Sequence, residues 1–205
     1  AWEGTLSGIT DIAVVFTGYF PGVFPLTEVV TLPFLGMPSA EAGGKIAWEL
    51  YQKFPDIKAE WARVKVLAFY STDPYNLWTA KKPVRTLEDM KGFKIRAPGG
   101  PATEAVKALG AVPVLIPMEE SYIALQRGVI DGIGTPGLSV GGFRFYEVAA
   151  YYTYAPTVAA SHMMLMYKEK WNEFPADIQQ AIMSVSGEAM AVRAGRDVSD
   201  KARIE

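Results

Sequence analysis

Apolar positions along this chain fall into two spacings. Ile12–Phe16 and Val64–Tyr70 are short continuous runs with β-branched residues, the pattern of strands buried on both faces. Ser39 precedes a stretch with Ala42, Ile46, Ala47 and Leu50 on one face, which predicts a capped helix over 39–51. Pro55 opens a short helix reaching Trp61. Between these, prolines at 25 and 33 make Val23–Phe34 extended or kinked. Residues 1–6 have the look of a helix end stopped by Gly8, with no cap before them, so further chain is expected ahead of Ala1. The end at Ile204–Glu205 falls inside a helical pattern with no stop.

The most regular stretch lies in the middle. A strand, Phe93–Ala97, is followed by a helix, Pro101–Leu109, with proline first and Gly110 as its stop. A strand at Val112–Ile116, a helix at Glu119–Arg127 and a strand at Val129–Ile133 complete a βαβαβ unit. Acids at the start of that second helix, Arg127 at its end and Gly128 as its stop suit the helix dipole. Such a unit predicts a parallel sheet with right-handed crossovers. Ahead of it, Thr86 and Asp89 form an acidic variant of the capping box, closed by Gly92. Ser71–Asn76 reads as a turn at Asp73-Pro74, and Leu77–Thr79 as a short extended piece. Beyond the unit, Phe143–Tyr154 is aromatic and reads as a helix end followed by a strand. Ser161–Tyr167 is another strand, and Pro175 starts a long helix through Ile178, Ala181, Ile182 and Val185.

Three strand ends therefore converge on one crevice, where ligands bind in open α/β sheets. Arg96 ends the first strand, just before Pro98-Gly99-Gly100. Met118 lies past the second. The loop Gly134-Thr135-Pro136-Gly137 leaves the third. Two readings of Arg96 stand: an arginine paired with a nearby acid, or a rigid fork of donors presented to a ligand carboxylate. Position in the crevice, where Arg96 is the only obvious charge, favours the second. Phe16, Tyr19 and Trp78 are candidate walls with Met118, against the commoner use of such rings as core cover. His162, the single histidine, reads as structural.

Composition narrows the classes. The 205 residues carry a formal net charge of −2, with no basic run, so nucleic acid is not a partner. Cysteine is absent, which excludes disulfides and thiolate chemistry. No apolar run is long enough to span a bilayer. There is no Gly-x-Ser-x-Gly elbow, His-Glu-x-x-His pair or phosphate loop. Adjacent acids such as Glu88-Asp89 and Glu119-Glu120 sit at helix starts. No catalytic set, metal-ligand set or cofactor is expected. A ligand-sensing domain of a regulator is one binding class that this leaves open.

An ordered set of segments resembles one family. These are Gly8-Ile9-Thr10-Asp11-Ile12-Ala13, Leu32-Pro33-Phe34, the run from Lys82-Pro83-Val84 to Lys94-Ile95-Arg96, Leu109-Gly110-Ala111-Val112-Pro113-Val114, the run from Tyr122 to Gly132, and Tyr146-Glu147-Val148. The chain is similar to the extracytoplasmic solute-binding proteins of tripartite ATP-independent periplasmic (TRAP) transporters. The resemblance implies a periplasmic protein that captures a small organic acid and delivers it to membrane permease subunits. It implies two α/β lobes closing on the ligand, each a mostly parallel sheet flanked by helices, joined by hinge strands and a long C-terminal helix. On that pattern residues 1–70 form an incomplete N-terminal lobe lacking its first elements, 71–155 the ligand-binding lobe, and 156–205 a return strand and the spanning helix. Hinges are expected near Phe69–Thr72 and Pro156–Met163. Arg96 stands where the family's arginine holds the ligand carboxylate. Asn76 stands where members specific for acidic sugars carry a second arginine, Thr135 where an asparagine is common, Gly134 where an acid precedes it, and Met118 where some members carry an aromatic. These departures imply a ligand with one carboxylate and a modest apolar or hydroxylated body.

Overall fold

The computed structural model describes residues 1–201; the helical pattern read at Ile204–Glu205 lies outside them. Helix α1 (Trp2–Leu6) ends at Gly8, whose φ of 73° is open to glycine. Strand β1 (Ile12–Phe16) follows, then 3-10 turns at Thr17–Tyr19 and Thr27–Thr31 in the segment broken by prolines. Helix α2 (Ala40–Lys53) starts at Ser39, whose side chain accepts from the Ala42 N–H, and α3 (Pro55–Glu60) carries its proline in the first turn. Strands β2 (Val64–Ser71) and β3 (Asn76–Thr79) follow. Next come α4 (Leu87–Met90), closed by the Thr86/Asp89 capping box, then β4 (Lys94–Ala97), α5 (Gly100–Ala108), β5 (Val112–Leu115), α6 (Ser121–Arg127) and β6 (Gly132–Thr135). The chain ends in α7 (Gly137–Gly142), β7 (Tyr151–Thr153), β8 (Ser161–Tyr167), α8 (Lys168–Glu173), α9 (Ala176–Ser184) and α10 (Gly187–Ala194), with a π-helical stretch over Gly195–Asp200.

The strands build two sheets. One has the order β5-β4-β6-β3-β7. Its β5-β4-β6 part is parallel, as the βαβαβ pattern predicts, while β3 pairs antiparallel with both β6 and β7. The other sheet has the order β1-β8-β2, and both of its ladders are antiparallel. The expectation of a mostly parallel sheet in each lobe therefore needs correction: two of the four ladders of the five-stranded sheet are parallel, and neither ladder of the three-stranded one is. There β8, returning from the other lobe, inserts between β1 and β2 and opposes both.

Two further expectations shift. The third strand of the unit begins after Asp131, not at Val129. Val129 and Ile130 donate back to the Ala124 carbonyl, and Asp131 donates to Lys94 O while its carboxylate accepts the Lys94 N–H. Gly134 and Thr135 consequently lie in β6 rather than in the loop after it. The long C-terminal helix is broken after Ser184, and it restarts at Gly187 with φ 63°. A Cβ at Gly187 would stand 2.9 Å from the Trp48 ring, so close packing as well as conformation selects glycine there.

Aromatic rings fill the first lobe's core. Phe24 and Trp61 stack at 4.0 Å, Trp2 and Phe69 meet them edge-on, and the Trp61 indole donates to Thr27 Oγ1. In the second lobe Leu125, Ile130, Ile133 and Phe145 cover one sheet face, and Leu77, Met90 and Ile95 the other. The chain passes between the sheets at residues 72–75 and 154–160. These two crossings bond to each other: Thr72 N–H to Ala160 O, Tyr75 N–H to Val158 O and Thr157 N–H to Tyr75 O. A third tie is Asp73, buried between them. Its carboxylate accepts from Ser199 Oγ on the C-terminal segment and from the Gly137 N–H at the start of α7. Among the described residues no helix is long and apolar enough to cross a membrane.

Candidate functional site

Arg96 is 1% exposed, among the largest fully buried side chains of the described residues. Register places it opposite Val114 on β5 and Ile133 on β6, so its side chain belongs to the sheet face that carries those apolar residues. A guanidinium cannot shed its charge, and burying one is costly unless partners are supplied. Two are present: Nε donates to Ile116 O at 3.1 Å and Nη2 to Tyr19 Oη at 3.1 Å. Both are uncharged. Tyr19 comes from the first lobe, so this bond spans the cleft.

Small hollows flank Arg96. A cavity of about 30 Å³ is lined by Tyr75, Arg96, Pro98, Gly134, Thr157 and Val158. That is room for about one water. Outside it, Tyr19, Pro98, Ile116 and Pro117 border a wider hollow of about 310 Å³. The lobes meet here backbone to backbone. A Cβ at Gly99, where φ is 119°, would stand 2.3 Å from Gly18 O.

The first-lobe side is a run of rings. Tyr19 lies edge-on to Phe16 at 5.2 Å; Phe16 stacks on His162 at 5.2 Å; His162 stacks on Tyr70 at 5.1 Å. The strand register accounts for this, since His162 is the Cα partner of both Phe16 and Tyr70. Burial pushes the His162 imidazole down to about 4, against a hydrogen bond with the Ala160 backbone that raises it. The ring is thus neutral near pH 7, and its Nδ1 is shielded with no hydrogen-bond partner among the described residues. Burial raises the Tyr70 hydroxyl to about 12, and raises that of Tyr75 further, although the nearby Arg96 charge lowers the latter.

The residues singled out in the sequence divide between the pocket and its surroundings. Arg96, Tyr19, Pro98 and Gly134 line the two hollows, and Phe16 supports Tyr19. Thr135 is fully buried two residues beyond Ile133, on Arg96's side of the sheet; its Oγ1 has no partner among the described residues. Asn76 is tied to backbone, donating to Pro74 O and accepting from the Ala155 N–H. With Gly134 it also lines a separate apolar cavity of about 290 Å³ beside Leu77 and Met90. Trp78 lies two strands from Arg96 on the same face; it packs on Tyr152 at 4.5 Å and donates to Thr135 O. Met118 packs on the second-lobe core. Tyr75, which lines the small hollow, lies in the 72–75 crossing and carries no signal in its own segment, because its place beside Arg96 depends on where the chain passes between sheets.

Residues 1–201 match the family described as bacterial extracellular solute-binding protein, family 7. The chain belongs to this family, whose members bind substrates for transporters and are not enzymes. It is 31% identical to a TRAP periplasmic solute-binding protein of Bordetella bronchiseptica solved with (R)- and (S)-mandelate, with a TM-score of 0.92, covering 99% of this chain and 64% of that one. It is 30% identical to a TRAP solute-binding protein of Rhodoferax ferrireducens T118 solved with copurified benzoate, also at TM-score 0.92, covering 99% and 63%. A 2,3-diketo-L-gulonate-binding periplasmic protein of Escherichia coli K12 is 28% identical over 194 residues, covering 91% of this chain and 57% of that protein. The chain thus spans less than two thirds of each. These likenesses establish the two-lobe fold of the family.

Proposed function

We propose that this chain is the ligand-holding body of an extracytoplasmic TRAP solute-binding protein, and that Arg96 anchors the carboxylate of a small aromatic monocarboxylic acid. The observation that carries this reading is the buried guanidinium whose two hydrogen-bond partners are both neutral. A carboxylate replacing Tyr19 Oη would bring a counter-charge and accept two parallel N–H bonds. The run of Phe16, Tyr19, Tyr70 and His162 rings offers an aromatic body offset-stacked or edge-on contacts. Asn76, fixed by Pro74 and Ala155, leaves no second cation for a second acid group. The benzoate and mandelate ligands of the two neighbours agree with this size and charge; the diketogulonate of the third relative is the competing class.

With Tyr19 of the first lobe bonded to the guanidinium, this reading has the ligand enter as the lobes part at the 72–75 and 154–160 crossings. Binding then closes them, in the manner of hinged two-lobe proteins. Delivery to membrane permease subunits from the periplasm is part of this reading, and family membership supports it. Thermal-shift and calorimetric titrations of the full-length protein with benzoate, mandelate, succinate and diketogulonate test the ligand class. Benzoate or mandelate at about 100 times its Kd should stabilise by about 2.7 kcal/mol. Stabilisation by succinate or diketogulonate alone would sink the reading.

A further inference from the structure

A buried carboxylate stands where the chain first leaves the three-stranded sheet. Asp73 is 1% exposed, two residues past the end of β2 and three before the start of β3. A carboxylate is kept in such a place only by donors. Two of its donors come from opposite sides of the crossing. Ser199 Oγ donates to Oδ1 at 2.8 Å and accepts the Asp73 N–H at 2.8 Å. The Gly137 N–H donates to Oδ2 at 3.1 Å.

Each of these donors is anchored in turn. Ser199 belongs to the π-helical stretch Gly195–Asp200, which is fixed to the first lobe at both ends. Asp200 accepts from the Ala40 and Glu41 N–H groups at the start of α2. A Cβ at Gly195 would stand 2.4 Å from Glu41 N, so only glycine lets the stretch lie so close. Neighbouring side chains, Ser199 and Asp200, thus reach different parts of the molecule. On the other side Gly137 opens α7 in the second lobe, directly after Thr135 and Pro136. Proline has no N–H, so Gly137 carries the first main-chain donor beyond β6. Thr135 is buried on the Arg96 side of the sheet, and its carbonyl accepts from the Trp78 indole. Asp73 therefore holds the chain two residues from that wall.

We propose that Asp73 is a positioning residue that couples the wall at Thr135 to the angle between the lobes. The links run in series: α2 to Asp200, the adjoining Ser199 to Asp73, Asp73 to Gly137, and Gly137 along the chain to Thr135. One carboxylate can serve as the joint because its two oxygens accept from two donors at once. A turn of the second lobe about residues 72–75 changes the Ser199 contact or the Gly137 contact, so lobe angle and wall position move together. The bonds from Thr72 to Ala160 and from Tyr75 to Val158 join the two crossings to each other and reach neither α2 nor α7. The coupling rests on the binding reading only in treating Thr135 as a wall of the ligand pocket.

Links in series have a signature that independent packing contacts lack. Cutting the chain at one link disconnects it, and a second cut adds nothing, whereas unrelated sites add. Ser199→Ala removes the donor to Oδ1. Gly137→Pro removes the donor to Oδ2 at a first helical position, where proline is well accepted; Pro136, with ψ 159°, already has the extended backbone that a following proline requires. The 205 residues contain no cysteine. In the full-length protein, spin labels at Lys53→Cys on α2 and Lys107→Cys on α5, both exposed, report lobe separation by pulsed electron resonance. Without added ligand, each variant should broaden the distance distribution, and the double variant should be no broader than the broader single one. Calorimetry with benzoate should show affinity about five- to tenfold weaker in each single variant, with no further loss in the double. Distributions equal to wild type in both single variants would overturn the proposal. So would a double variant whose broadening is the sum of the two, the mark of separate packing contacts. If Gly137→Pro does not fold, Ser199→Ala decides alone: a wild-type distribution overturns the coupling and a broadened one supports it. The ligand-free distances do not depend on benzoate, so a protein that fails to bind it loses the ligand reading while the distances still decide the coupling.

Discussion

The two walls of the cleft are built by opposite means. The second-lobe wall supplies charge and polar atoms at strand ends: Arg96 on β4 and Thr135 on β6, held by parallel ladders and short turns. The first-lobe wall supplies shape. Its Phe16, His162 and Tyr70 come from three strands of an antiparallel sheet and stack because β8 lies between β1 and β2. Parallel strands end together at one edge, so they deliver functional groups from several helical crossovers to one place. An inserted return strand instead sets side chains of distant segments ring on ring. On the proposed reading, recognition of an acid is divided: the anchor belongs to one lobe and the fit to the other.

Four measurements break or sharpen that division. Trp61→Ala should have the largest effect, about 3–5 kcal/mol of stability lost, because the indole stacks on Phe24 and bonds Thr27 behind the first-lobe wall. Chemical denaturation of the full-length protein measures it; a loss below about 1 kcal/mol would mean the rings are not the lobe's core. Arg96→Ala should weaken binding of benzoate by about 2–5 kcal/mol, with Arg96→Lys intermediate since the planar fork is lost. Calorimetry at unchanged melting temperature separates this from unfolding, and retained affinity in both variants would move the anchor elsewhere.

His162 distinguishes the walls by pH. Its folded pKa of about 4 lies below the ordinary 6.5, so the unfolded chain binds more protons across that window. Stability contributed by the neutral ring is full above 6.5 and falls as pH drops toward 4, by roughly 3 kcal/mol in all. His162→Gln should flatten that slope in denaturation midpoints measured across the window; an unchanged slope would place the titration in another group. The smallest effect is expected at Thr135→Val. Loss of a hydroxyl bonded to ligand costs about 0.5–1.5 kcal/mol for a neutral partner and about 1.5–3 for a carboxylate. Affinity equal to wild type would make Thr135 an ordinary strand residue whose Oγ1 meets no ligand.

The sequence alone determined the local grammar. The periodicity from Phe93 to Arg127, with its proline and glycine punctuation, specifies strand, helix, strand and helix, and so brings Arg96 and Met118 to the same sheet edge. Caps at Ser39 and Thr86 follow from side chains reaching their own backbone. Tertiary structure decided what depends on partners far apart in the chain. Asp131 delays β6 because it bonds Lys94, and that moved Thr135 from loop to strand. Asn76, a candidate ligand contact by sequence, has its side-chain oxygen engaged by the N–H of Ala155, distant in the chain. The insertion of β8, and with it the stack of Phe16, His162 and Tyr70, leaves no mark on any single segment. A run of apolar residues encodes that a strand is buried; which strand lies beside it is fixed only when all the faces compete for cover.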